Sequence, residues 1–190
     1  LEEKLNLVVL FIISLLISFF IVKNLEINFL VNTVLIGSAF YLFFITIRDF
    51  FLKRFKDIQQ NIAHFGFSLL ILSILFNNIF SSELITNLKV GESFKNNRFE
   101  IIFNDLKKFE EKNYISFKGN FSVRENKIEY VLEPELRIYN QPNIITSEAD
   151  IKTTFFTDKF ITMNTVQNEE YFNIRYQVKP FMLWIWISVL

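Results

Sequence analysis

Three long apolar runs constrain this chain more than any other feature. Leu5 to Val22 and Phe29 to Ile47 carry no charge, and Ile62 to Phe80 carries one ionisable residue, His64. Each approaches the ~20 residues that a helix needs to cross a hydrocarbon core. Lipid offers no hydrogen-bond partner to the backbone, so a run of this kind must satisfy its own amides as a helix. Only Lys23-Asn24-Leu25-Glu26 and its neighbours separate the first two runs, so residues 1–47 read as a transmembrane helical hairpin. Residues 62–80 read as a third transmembrane helix. A fourth run opens after Pro180, and its roughly 10 apolar residues are too few to span. Residues 180–190 are therefore the start of a truncated transmembrane helix. The chain also lacks an initiator Met and a signal-peptide pattern, and the expectation is a piece excised from a larger membrane protein.

Composition agrees with this and excludes several function classes. Hydrophobic residues make up 51% and mean hydropathy is +0.29, which is unlike an ordinary soluble domain. The net charge of zero gives no global field for nucleic acid, and no nucleic-acid partner is expected. The absence of cysteine excludes a disulfide framework, a zinc-thiolate site and a thiol nucleophile within this stretch.

Residues 48–61 form a short loop with Arg48, Lys53, Arg54 and Lys56, which the positive-inside rule places in the cytoplasm. Phe51, Phe55, Ile58 and Ile62 recur at helical spacing, which suits an amphipathic helix along the interface, the alternative being a plain solvated connection. Residues 81–179 then fall on the opposite side, the periplasm of a Gram-negative cell. Their pattern alternates with period two in 98–103, 113–119, 129–132, Asp150 to Phe156 and Tyr171 to Val178, the mark of half-buried strands. Glu125-Asn126-Lys127 reads as a hairpin turn. The expected fold is an integral membrane protein: transmembrane α-helices, three complete plus the start of a fourth, with an inserted β-rich periplasmic domain.

Chemistry concentrates on one residue. Residues 81–179 contain no histidine, so they hold no Ser-His-Asp triad and no imidazole metal site, and four glycines in the whole chain leave no Gly-rich phosphate loop. His64 is the only histidine, and an ionisable group inside a membrane helix is costly enough to be a functional candidate by default. Gln60, His64 and Ser68 lie at i, i+4 and i+8 with Asn61 adjacent, so they share a narrow helix face. Gln60 or Ser68 could orient the imidazole; a histidine at the headgroup boundary, bonded to water or a neighbouring helix, is the plainer reading. In the β region Glu135 and Arg137 share a strand face after Pro134. They read as a solvated ion pair, or as a fork-shaped cation offered to a carboxylate such as a haem propionate. Trp184 and Trp186 suit interfacial anchors.

The order of these motifs resembles a known family. Ala63-His64-Phe65-Gly66, Asn113-Tyr114, Pro134-Glu135-x-Arg137-x-Tyr139, Thr146-Ser147-Glu148-Ala149 and Arg175-Tyr176-x-x-Lys179-Pro180-Phe181-x-x-Trp184-Ile185-Trp186 together resemble the C-terminal part of CcmF-type cytochrome c haem lyases of the system I maturation pathway. The resemblance covers about two thirds of the chain, from Asn61 to its end. It implies a multi-pass protein of the bacterial inner membrane that helps attach haem covalently to apocytochrome c in the periplasm. It further implies haem received from the chaperone CcmE, a CcmH-type component presenting the apoprotein, and a b-type haem in the membrane. His64 matches one axial ligand of that haem b iron. The family's tryptophan-rich segment, its two flanking histidines and the second axial ligand have no counterpart in this stretch. Leu136 stands where the family usually has Lys, which leaves Arg137 as the cation of its strand, and Ser188 stands where Gly is common. The alternative is a haem-handling, transport or partner-docking protein without bond-forming activity of its own; a structural membrane protein with a sensing domain is a third reading.

Overall fold

The computed structural model describes residues 2–23, 25, 28–52, 58–125, 128–166 and 170–190. They divide into two compact units, residues 1–80 with 180–190, and residues 81–179.

The first unit is helical. α1 (Glu2–Val22), α2 (Phe29–Phe51) and α3 (Ile58–Phe80) each have the length and composition to cross a membrane. At 1.5 Å per residue they run about 32–35 Å, against a hydrocarbon core of about 30 Å. α4 (Met182–Val189) follows the β region in the chain. α1 and α2 are antiparallel neighbours. Phe11 meets Tyr41 at 5.4 Å, the Ser18 hydroxyl donates to the Thr33 carbonyl at 2.7 Å, and Phe19 meets Phe29 at 5.5 Å. α2 packs on α3 through Phe40 against Phe76 and Phe43 against Phe65. Small polar residues sit at these contacts: Ser14, Ser18, Thr46, Ser68 and Ser73 are buried. Lipid is as apolar as leucine, so membrane helices associate through close approach and interhelical hydrogen bonds.

Two helix limits differ from the sequence reading. α2 runs past Ile47 to Phe51, and α3 begins at Ile58 rather than Ile62. Arg48 and Asp49 pair with each other at 2.7 Å, which lets the helix continue beyond its uncharged part. The spacing of Phe51, Ile58 and Ile62 therefore straddles two helices instead of marking one interfacial helix. Leu52 is already a turn residue, and Phe55 lies in Lys53–Asp57, outside the described residues.

The second unit is a β-sandwich. One sheet has the order β1 (Ser82–Leu88), β10 (Phe172–Pro180), β9 (Thr157–Thr165), β8 (Asp150–Thr153). The other has the order β2 (Ser93–Lys95), β3 (Phe99–Glu110), β4 (Tyr114–Glu125), β6 (Glu135–Tyr139), β7 (Ile144–Glu148), with β5 (Ile128–Leu132) also on β4. Period-two alternation turns Ile101 and Phe103, Phe121 and Val123, Ile161 and Met163, and Ile174 and Tyr176 into one core. Phe103 and Phe121 stack at its centre with ring centroids 4.2 Å apart. Gly119 is required there, because a Cβ would lie 2.6 Å from the Phe121 ring and 3.1 Å from the Met163 sulfur.

The strand-like run expected over Asp150 to Phe156 stops early. β8 ends at Thr153, and Thr154–Thr157 is a tight turn with Phe155 and Phe156 at its centre. Phe carries no turn signal, so the pattern gave no warning of the reversal. β4 and β5 do pair antiparallel, while Asn126 and Lys127 of the expected turn between them lie outside the described residues.

Candidate functional site

Two places hold chemistry-bearing side chains that neighbours position closely: the opening of α3 and the outer face of the β4–β6–β7 sheet.

At α3, successive residues step by about 100° around the axis. Ser68 and Asn61 point toward α2, Gly66 points toward α4, and His64 lies at the outer flank of the α2 side. The Ser68 hydroxyl is buried and lies 3.0 Å from the Thr46 hydroxyl of α2. Ser68 also lies 2.9 Å from the Phe65 carbonyl, and Thr46 lies 2.8 Å from the Phe43 carbonyl. The two hydroxyl protons are shared among these three contacts, either hydroxyl can donate to the other, and both groups are used within the helix pair. The polar stripe read from the sequence is thus divided: Ser68 holds α2 to α3, whereas Gln60 and His64 are exposed on the surface of this unit. Phe67 and Ile74, both exposed, lie toward the same outer side as His64.

Gly66 explains how α4 reaches α3. A Cβ at this position would lie 2.8 Å from the Ser188 carbonyl oxygen, so only glycine admits α4 this closely. Ser188 gives its own hydroxyl proton to the Ile185 carbonyl at 2.7 Å. The departure from glycine at Ser188 is therefore absorbed within α4. At the other end of the contact the Asn77 side-chain amide donates to the Pro180 carbonyl at 2.6 Å, and Phe76 meets Phe181. Asn61 lines a cavity of about 340 Å³ with Ile47, Phe50, Phe51, Ile62 and Phe65. Its buried Oδ1 has no hydrogen-bond partner.

On the β-sandwich, β4 and β6 set Tyr114 opposite Tyr139, Ser116 opposite Arg137 and Lys118 opposite Glu135. These residues share the face turned away from the core. Arg137 donates to Glu135 at 2.7 Å, Ser116 donates to the other oxygen of Glu135, and the guanidinium lies 5.3 Å from the centre of the Tyr114 ring. The hydrogen bond from Arg137 holds the Glu135 carboxyl below its usual range, against the opposing effect of burial. The plainer reading of Glu135 and Arg137 as a solvated pair understates this site. Ser116 is 2% exposed, and Arg137 Nε and Thr146 Oγ1 are both buried without a hydrogen-bond partner. Leu136 faces the opposite way, into the core, at 1% exposure. A cation at that position would not share the Arg137 face, because adjacent strand residues alternate sides.

A tyrosine pair inside the sandwich escaped the sequence reading. The Tyr130 and Tyr176 hydroxyls lie 2.7 Å apart, with the Lys152 and Lys159 ammonium groups 4.7 and 5.4 Å from the Tyr130 ring centre. Burial pushes the Tyr130 hydroxyl up to about 12 and, together with Tyr130 itself, raises Tyr176 further. Only cross-sheet packing unites these residues. Among the described residues, no group of three or more His, Cys, Asp or Glu side chains is arranged to hold a metal ion.

Membrane-length helices joined to a two-sheet β-sandwich define the class: a transmembrane protein with an inserted β domain. Comparison with known proteins is more specific. The family described as "CcmF C-terminal beta-sandwich" matches residues 79–180. The cytochrome c-type biogenesis protein CcmF of Pseudomonas fluorescens is 33% identical over 130 residues, 68% of this chain and 20% of that protein. CcmF of Escherichia coli (strain K12) is 29% identical over 125 residues, 65% of this chain and 19% of that protein. A solved structure of the cytochrome c haem lyase CcmF shares the fold with a TM-score of 0.70 at 17% identity, covering 97% of this chain and 32% of that one. The chain belongs to the CcmF family of cytochrome c biogenesis proteins. It spans about a fifth of the length of the curated relatives it matches.

Proposed function

We propose that this chain is the C-terminal part of a cytochrome c haem lyase and that His64 supplies one axial ligand to a b-type haem held in the membrane. The observation that carries the reading is the position of His64. It is the only histidine of the chain, stands at the opening of a membrane-length helix, and is exposed on that helix. A neutral imidazole is a good iron ligand, and the exposed Phe67 on the same helix would offer apolar surface near it. One histidine provides one axial position, so the second ligand comes from the remainder of the longer protein. Haem b at this site would supply an electron-transfer centre within the bilayer. Ser68 acts indirectly, by locking α3 to α2 through Thr46 and so setting the direction in which His64 points.

In this reading the helices lie in the bacterial inner membrane, residues 48–61 face the cytoplasm and residues 81–179 face the periplasm. The incoming haem comes from CcmE, and a CcmH-type component presents apocytochrome c. The test is His64→Ala in the full-length protein, read by the reduced absorption spectrum and the yield of holocytochrome c. Loss of the b-type bands with a reduced yield is expected. Wild-type bands and wild-type yield together would refute the ligand assignment.

The second reading, a haem-handling or docking platform, is favoured by the outer face around Arg137. The guanidinium lies over the Tyr114 ring, which itself packs on Tyr139, an arrangement of cation and aromatic side chains suited to meeting another surface. Arg137→Gln should then weaken cross-linking of the full-length protein to CcmE or apocytochrome c while leaving the b-type bands intact. Unchanged cross-linking would remove this reading.

A further inference from the structure

The β2–β3 hairpin is closed by Asn96. Its side-chain oxygen accepts from the Arg98 and Phe99 N–H groups, both at 2.8 Å, and its N–H donates to the Phe99 carbonyl at 3.0 Å. Asn suits such a turn because its side chain bonds the backbone a few residues on. Phe94 and Phe99 pack against the core on either side of the turn, and the Phe99 ring meets Tyr176 at 5.0 Å. Lys95 and Arg98 are exposed and serve neither the turn nor the core.

Strand register extends this group across the sheet. Lys95 lies opposite Glu100, Glu100 opposite Arg124, and Arg124 opposite Glu129. Directly opposed residues share a face, and Phe94 turns inward, so the row belongs to the outer face. Lys95, Arg98 and Arg124 line an open cavity of about 390 Å³, with Glu100 as its one carboxylate. Arg124 is 3.7 Å from Glu100 and 3.3 Å from Glu129. Both exceed the ~2.8 Å of a charge-assisted hydrogen bond, and the Arg124 side chain is 53% exposed. Among the described residues, no carboxylate forms an ion pair with Lys95 or Arg98. The cavity therefore carries an excess of positive charge.

Lysine on an edge strand discourages pairing with other chains, and Lys95 on β2 fits that role. It does not call for Arg98 on the turn or for Arg124 two strands further in. Neighbouring strands are about 4.8 Å apart, so the row from Lys95 to Arg124 spans about 10 Å. One small anion does not bridge that distance. Alternate residues of an extended chain, about 7 Å apart, place successive carboxylates along it. Phe99 is the one apolar residue of the lining, so a hydrophobic ligand would gain little there.

We propose that the β2–β3 hairpin and Arg124 form a docking site for an acidic, extended segment of a partner protein, with carboxylates at alternate positions meeting Lys95, Arg98 and Arg124. Arginine forks match carboxylates in two-point geometry, and Lys95 adds a mobile point charge at the edge. The site is separate from the Arg137 face. Ser116, the partner of Arg137, is eight residues from Arg124 along β4, roughly 25 Å. The inference concerns the β domain alone and does not depend on haem ligation by His64.

The test uses the full chain in zwitterionic detergent micelles and a fluorescein-labelled peptide of alternating Glu and Ser, read by fluorescence anisotropy. Low ionic strength keeps exposed charges least screened. Saturable binding is expected, and the same peptide with Gln in place of Glu should not bind. Lys95→Gln and Arg98→Gln should each weaken binding roughly two- to fivefold, the range for an exposed charge pair. Both side chains are exposed, so the β circular dichroism signal should be unchanged. Lys112→Gln, in the β3–β4 turn at the far end of β4, should leave binding as it is. Absence of saturable binding, or equal weakening by Lys112→Gln and Arg98→Gln, would overturn the proposal. Release of the peptide by an equal concentration of inorganic phosphate would overturn it in favour of a simple phosphate site. A charge swap gives a second measurement: Arg98→Glu should bind a Lys-Ser peptide more tightly than the unmodified chain does, and no gain would count against the site.

Discussion

Phe20 on α1 and Phe121 on β4 are the same side chain under opposite rules. Phe20 is 65% exposed, as are many of its large apolar neighbours, while Phe121 is fully buried against Phe103. In the helical unit Ser14, Ser18, Thr46, Ser68 and Ser73 are buried alongside Val22, Ile36, Ala39 and Leu72. The β-sandwich reverses this, with Ile, Phe, Leu, Met and Tyr inside and most of its ion pairs outside. The solvent each unit meets accounts for the difference. Water expels apolar area at roughly 25 cal/mol per Å², whereas lipid does not, so the helices are held by close approach and hydrogen bonds.

The largest effect that separates the two units comes from truncating one ring in each. Phe121→Ala should cost the β-sandwich about 3–5 kcal/mol, read as a lower urea midpoint for its circular dichroism signal in detergent micelles. Phe20→Ala should leave the unfolding of the full chain nearly unchanged; a comparable loss there would show that α1 is packed in water-like fashion. Gly66→Ile comes next, at about 1–3 kcal/mol, because the new side chain must displace the Ser188 backbone. A disulfide trapped between cysteines engineered into α3 and α4 would report the separation, and unchanged trapping efficiency would contradict the close contact.

Tyr176→Phe probes a buried polar contact between the two sheets and should cost about 1–3 kcal/mol, since it leaves the Tyr130 hydroxyl buried without its partner. The same pair makes the β domain sensitive to base. Both hydroxyls are raised in the folded state, Tyr130 to about 12, so the folded form keeps protons that the unfolded chain loses near pH 10. Their contribution is complete below about pH 10 and is lost as pH rises through 12. A urea midpoint that stays level from pH 9 to about 12 would contradict this. The smallest effect is expected from Thr46→Val, at about 0.6 kcal/mol, in line with interhelical hydrogen bonds in lipid. Loss of the α2–α3 contact on this change would mean that the hydroxyl pair does more than lipid-phase bonds usually do.

Much of the fold was legible before any coordinates, for a physical reason. A run such as Leu5 to Val22 has one low-energy solution in lipid, and alternation such as Arg98 to Phe103 has one half-buried solution in a sheet. The β8–β9 turn was not legible, because Thr154-Phe155-Phe156-Thr157 carries no turn residue and alternates poorly. The spacing of Phe51, Ile58 and Ile62 joins the end of one helix to the start of another, and Phe55 lies outside the described residues. The candidate site was half legible. His64 announced itself by type and setting, but the separation of Ser68 from Gln60 and His64 depends on where α2 lies. Arg137 was noticed, whereas its companions Ser116, Tyr114 and Thr146 come from other strands.

By itself the sequence determined that this chain must place three helices in lipid and fold a β domain between the third and the fourth. Hydrophobic length and period are local properties, and each segment declares them alone. It also determined that His64 is the one imidazole available and, through the order of its motifs, that the chain belongs with CcmF. Tertiary structure alone decided which hydroxyls lock α2 to α3, which glycine admits α4, which strands bring Tyr130 to Tyr176, and which row of the sheet gathers Lys95, Glu100 and Arg124. Those outcomes depend on contacts between residues far apart in the chain, and such contacts leave no periodic trace in either partner.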